Sequence, residues 1–144
     1  MRIRLALFVG TAALLCGAAT LAADDKPKPK APEPGTSVEM PYLIAPVIVD
    51  GKLLANAYVS NKVIATSTNA AMDIRDKTPF IQDAFVRDVN AKPINKDSDP
   101  PTVDQAALQA RLLADARRIA GAAKVANLKI IQIQVVPVRP GGAP

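Results

Sequence analysis

The sequence has no histidine and no tryptophan, and its single cysteine, Cys16, lies in an apolar N-terminal stretch. The missing histidines remove the commonest general base and a principal zinc ligand, and with them every Cys/His nucleophile pair. Glutamate is almost as scarce. Glu33 and Glu39 both fall in a stretch that reads as a tether, so the paired carboxylates of glycoside chemistry have only scattered aspartates to draw on. A Ser–Lys nucleophile needs a placed lysine, and the nearest local pair, Ser60 and Lys62, is more economically the end of a strand. Neither a P-loop nor a Gly-x-Gly-x-x-Gly run occurs. No catalytic, cofactor-binding or metal-ligating residue is therefore identified, no cofactor is expected, and the chain is read as a non-enzyme.

Aromatics are sparse as well, at two tyrosines and three phenylalanines. The formal net charge of +5 comes from 18 basic and 13 acidic residues. Without Arg2 and Arg4 it falls to +3, and three of the remaining positives, Lys26, Lys28 and Lys30, share one short stretch. Scattered charge with few aromatics on which bases could stack excludes nucleic acid as an expected partner.

The N-terminal end carries a pattern of its own. Met1-Arg2-Ile3-Arg4 is positive, Leu5 to Leu15 is strongly apolar, and small residues lead through Ala22-Ala23 into Asp24-Asp25. This is the layout of a secretory signal over residues 1–23, with cleavage after Ala22 or Ala23. Two alternatives stay open. Leu5–Ala23 is uncharged and as a helix would reach about 28 Å, close to the hydrocarbon thickness of a bilayer, so an inner-membrane anchor through residues 5–23 is one. Lipidation at Cys16 is the other, opposed by the bulky Leu15 before it. The expected location is periplasmic or secreted, with membrane association only if this segment is retained. Once it is removed no cysteine is left for a disulfide.

Residues 24–41, with Lys-Pro-Lys-Pro-Lys-Ala-Pro-Glu-Pro-Gly at their centre, read as a Pro/Lys-rich spacer in extended polyproline II conformation, reaching at most about 56 Å. Residues 138–144 read as a frayed tail. Residues 42–137 are left as a single α+β domain, long enough for one modest core.

Within it, Tyr42–Val49 and Lys52–Val59 flank Asp50-Gly51, the residue pair that a type I′ hairpin turn needs. Pro46 cannot donate to a ladder, which predicts an edge position or a bulge for the first strand. A helix is expected to start at Ser67 or Thr68. A second is expected at Thr78-Pro79, with Thr78 as cap and Phe80, Ile81, Ala84, Phe85 and Val89 on its apolar stripe. Asn90–Pro101 is turn-rich; its Asp97-Ser98-Asp99 spacing fails the glycine and glutamate requirements of a calcium loop. Thr102-Val103-Asp104-Gln105 reads as a capping box for a helix running to Gly121, with Leu108, Leu112, Ala116, Ile119 and Ala123 buried. Arg117 and Arg118 fall late in it, where the helix dipole favours cations. Leu128–Val136 reads as a returning strand, with Ile131, Ile133 and Val135 on one face and Gln132 and Gln134 on the other. The expected architecture is a β-hairpin, two or three helices and a C-terminal strand in two layers.

In this order, Phe80–Val136 resembles the periplasmic domain of the flagellar basal-body-associated protein FliL family. The likeness lies in the segment Ile81-Gln82-Asp83-Ala84-Phe85-Val86, a variable loop, the long helix over Leu108–Ile119, and a terminal strand over Val125–Val136 that closes on Gln134-Val135-Val136. With the hairpin it covers roughly residues 42–137. It implies a stomatin-like domain prone to self-association, with partners at the flagellar motor. FliL-like proteins keep a membrane anchor after a cytoplasmic stub, whereas three residues precede Arg4 here, so that partner is not carried over. The alternative expectation is a soluble periplasmic binding or adaptor module unrelated to motility.

Overall fold

The computed structural model describes residues 35–96, 98 and 101–139. The segment read as a secretory signal, the spacer as far as residue 34 and the tail beyond residue 139 lie outside them. The order is β1 (Ser37–Glu39), β2 (Leu43–Val49), β3 (Lys52–Ala65), α1 (Thr68–Asp76), α2 (Thr78–Ala91), α3 (Gln105–Ala120) and β4 (Val125–Pro137). All strand pairs are antiparallel, and β3 is central. Its first half pairs with β2 and its last residues with β1 along one side, while β4 follows it along the other. The fold is α+β in two layers, a four-stranded sheet with three helices.

Local chemistry explains most of the boundaries. Asp50 and Gly51 both have positive φ, 50° and 75°, as a type I′ turn demands. Pro46 sits on the edge strand β2, one residue before the register shifts at Val47/Ile48. Ser67 caps α1 by accepting from the Ala70 amide. Gly121, at φ 106°, ends α3 in a backbone conformation that side-chain-bearing residues rarely adopt.

Four sequence expectations about element boundaries are corrected. The spacer read over 24–41 is folded at its end: β1 forms there, and Val38 and Met40 are buried. The proline-rich composition stops at Pro34, and Thr36–Met40 presents alternate residues inward against the last turn of β3. Thr78 does not cap α2. Only Lys77 separates α1 from α2, so the Thr78 hydroxyl turns back to donate to the Ile74 carbonyl. The cap of α3 is Asp104, not Thr102. The Thr102 carbonyl accepts from the Lys96 amide, Val103 bridges Asn95, and the Asp104 amide donates to Ile94, so this stretch is held as a short ladder before the helix starts. The strand expected over Lys52–Val59 runs on to Ala65, because β1 and β4 both pair with the extra residues.

The core lies between the sheet and the helices. Leu43, Ala45 and Val47 of β2, and Ala57, Val59 and Val63 of β3, face Ile74, Ile81, Phe85, Val89, Leu108, Leu112 and Ala116. Phe85 is fully buried, but Phe80, expected beside it as a second anchor, is 66% exposed. It lies about 100° around the helix from Ile81, off the face that meets the sheet. Ala123 falls beyond the Gly121 stop and is exposed rather than buried. One buried polar group has no counterpart in this core: Asn61 is 1% exposed, and neither its side-chain oxygen nor its nitrogen has a hydrogen-bond partner. It lies where the ladder is irregular on both sides, beside the β1–β2 break and the register shift of β4.

Candidate interaction surface

Several charged side chains on the helical layer pair with one another. In the hollow between α2 and α3, lined by Phe80, Asp83, Arg87, Asp88, Asp115 and Arg118, Arg87 meets Asp83 at 3.0 Å and Arg118 meets Asp115 at 2.7 Å. Arg111 bonds Asp88 at 2.8 Å and the Pro93 carbonyl at 2.9 Å, joining α3 to the end of α2. The two late arginines of α3 therefore differ in role. Arg118 pairs along its own helix, while Arg117 reaches across to the carbonyls of Val125 and Ala126. Among the described residues no three His, Cys, Asp or Glu side chains gather as metal ligands would.

At the start of β4 the Lys124 ammonium lies 2.7 Å from Asp73 on α1. That hydrogen bond, with the charge of Lys124 behind it, holds the Asp73 carboxyl below its ordinary 3.8; Lys77 adds a smaller effect in the same direction. Nearby, the Thr66 hydroxyl donates to Ala123 and the Lys77 ammonium to Ile119. These contacts tie the turn after α3 to the sheet and to α1.

The face of the sheet turned away from the helices has the opposite character. Opposed residues of an antiparallel pair share a face. The ladder therefore collects Ile44 with Tyr58, Pro46 with Asn56 and Ile48 with Leu53, and from β4 Gln134 and Val136. Ile44, Ile48, Leu53, Tyr58 and Val136 are all exposed. Leu54, the extra residue at the bulge, and Val138, whose amide donates to the Leu54 carbonyl at 2.9 Å, extend the patch. No charged residue lies on this face until Glu39, Lys62 and Lys129 at the far end. Alternation in the sequence marks these residues as a strand face but not as an uncovered one.

The returning strand departs most from expectation. Ile131 is 54% exposed and Val135 is 49% exposed, and Ile131 is the extra residue at the β4 register shift between Ser60 and Asn61. The buried residues of β4 are Val125 and Leu128, with Ile130 and Ile133 partly covered. Among the described residues no helix is long and apolar enough to cross a membrane.

The chain matches no family model and no curated protein. The resemblance to the FliL family therefore stands on the residues quoted for it alone.

Proposed function

We propose that the chain is an exported, non-enzymatic protein-association module of the bacterial cell envelope, and that its docking surface is the outer sheet face around Ile44, Ile48, Leu53 and Tyr58. One observation carries this reading. A contiguous apolar face, free of charge and left open by the fold, costs free energy in water and is the usual mark of a partner site. The fitting partner is a protein that presents an equally apolar, uncharged surface, since a charged one would lose its hydration without a counter-charge. The FliL resemblance adds a narrower version, in which that partner belongs to the flagellar motor; the adaptor version has a partner elsewhere in the envelope.

Photo-crosslinking residues at Ile44 and Leu53, compared with one at the exposed Met72 on α1, test the surface in living cells. A discrete adduct is expected from the first two positions and is lost in an Ile48→Asp background. Equal labelling from Met72, or no adduct from the sheet face, would overturn the reading. Deleting the gene tests the narrower version: swimming under load drops if the partner is at the motor, and unchanged swimming removes the flagellar role while leaving the association module.

A further inference from the structure

A second surface of the molecule is also left open, and it carries a symmetry that the outer face lacks. β4 pairs with β3 along one side, and among the described residues no strand lies on the other. The start of that free edge is closed off. Arg117 donates to the Val125 and Ala126 carbonyls at 3.3 and 3.0 Å, and the Leu128 amide bonds the Asn127 side chain at 2.8 Å. Beyond Lys129 the bulge at Ile131 is the one irregularity in the ladder. From Ile130 to Val138 the strand has no charge, and its one proline is Pro137 near the end. Natural edge strands are normally guarded by charges, prolines or covering elements, and a long unguarded one pairs with another strand.

The sequence of this edge reads alike in both directions. About Ile133, Gln132 mirrors Gln134, Ile131 mirrors Val135, Ile130 mirrors Val136, Lys129 mirrors Pro137 and Leu128 mirrors Val138. Two copies paired antiparallel about a two-fold axis at Ile133 would set Gln132 beside Gln134 and Ile131 beside Val135; beyond Ile131, the extra residue at the bulge, opposed residues no longer share a face. Moving the axis to Gln134 breaks the match, because Gln132 then meets Val136 and Lys129 meets Arg139. An isologous two-fold contact requires this kind of self-complementarity.

The helix above the edge ends before the axis. Arg117 shows which face of α3 overlooks β4, and Leu113, Ala110, Gln109 and Ala106 lie on that face at helical spacing from it. With Gln105 these residues line a shallow hollow of about 480 Å³ that holds no charged side chain. A two-fold perpendicular to the sheet keeps both helical layers on one side, and because α3 roofs only about the first seven residues of β4, both helices stop short of the axis and leave the strand junction uncovered.

We propose that two copies of the chain associate through β4, continuing one sheet across a two-fold axis at Ile133. The proposal deepens the association reading, but it uses a different surface, so either can fail alone. The test is light scattering with size exclusion on the intact exported chain over a range of concentrations. Twice the mass of one chain is expected. Gln132→Lys/Gln134→Lys sets lysine against lysine twice and is expected to weaken the dimer about tenfold or more. Gln132→Glu/Gln134→Lys sets each glutamate against the partner's lysine and restores it. Gln132 and Gln134 are both exposed, so circular dichroism should show every variant folded. A single-chain mass at the highest concentration overturns the proposal, as does a dimer that both double variants leave unchanged. If the wild type is monomeric while the outer-face crosslinks persist, the partner reading survives and the dimer does not.

Discussion

The two halves of β4 are built from similar residues and have different fates. Val125, Leu128 and Ile130 in the first half pack into or against the core, under α3. Ile131 and Val135 in the second half are as apolar and as branched, yet each is exposed. Geometry accounts for the difference. α3 has 16 residues and, at a rise of about 1.5 Å each, covers roughly 24 Å, while a strand advances about 3.3 Å per residue. The helix therefore roofs only about seven of the 13 residues of β4. The polar anchors follow the same division, with Arg117, Lys124, Asp73 and Thr66 all gathered at the covered end. Hydrophobicity makes a strand; the length of its cover decides what the strand is for.

The sharpest way to break this comparison is to truncate one residue in each half. Leu128→Ala opens a cavity at a fully buried site and is expected to cost about 2–5 kcal/mol in urea denaturation. Val135→Ala, measured at a dilution where the chain is monomeric, should stay within about 0.5 kcal/mol. Similar losses at both sites would show that the second half is covered in solution.

At the junction of the halves, Asn61→Leu replaces an amide that has no partner by an apolar side chain of the same branched shape. Stability should rise by about 1–2 kcal/mol, read as an upward shift in melting temperature. A loss would mean that the amide is satisfied in solution. Arg117→Ala removes two bonds to the strand and unguards the start of its edge. The expected cost is about 1 kcal/mol, with faster amide hydrogen exchange at the beginning of β4 than at its end.

The smallest effect concerns Asp73. Its carboxyl is easier to ionise in the folded chain than in the unfolded one, so the pair with Lys124 stabilises the fold while Asp73 carries its charge. That contribution is fully present above 3.8 and disappears as pH falls through the lower folded value. Asp73→Asn should therefore show a constant deficit against wild type near neutral pH that closes in acid below 3.8. A deficit that persists at full protonation would assign the role to packing instead.

Much of this organisation is legible along the chain because it depends on near neighbours. The Asp50-Gly51 turn, the Ser67 cap and the Gly121 stop each need one or two residues with the right local conformation, and each stands where the sequence put it. Local signals misled where distant partners competed for the same groups. Thr102 fits a capping box, but its carbonyl belongs to Lys96, and Val103 belongs to Asn95. Ser37–Glu39 follows a proline-rich run and reads as tether until β3 offers it an edge. The interaction surfaces were the least visible, since exposure depends on what lies above a residue and not on the residue itself.

The sequence by itself determined that the described domain has strands, helices and turns in this order, because periodicity, caps and glycine conformations act within a few residues. It also wrote the mirrored run about Ile133, which is a property of the chain before any folding. Only the tertiary structure decided that this run would stand at an open edge. α3 is too short to cover β4 to its end, and no described strand lies beyond it, so a pattern that would suit a buried strand remains facing water.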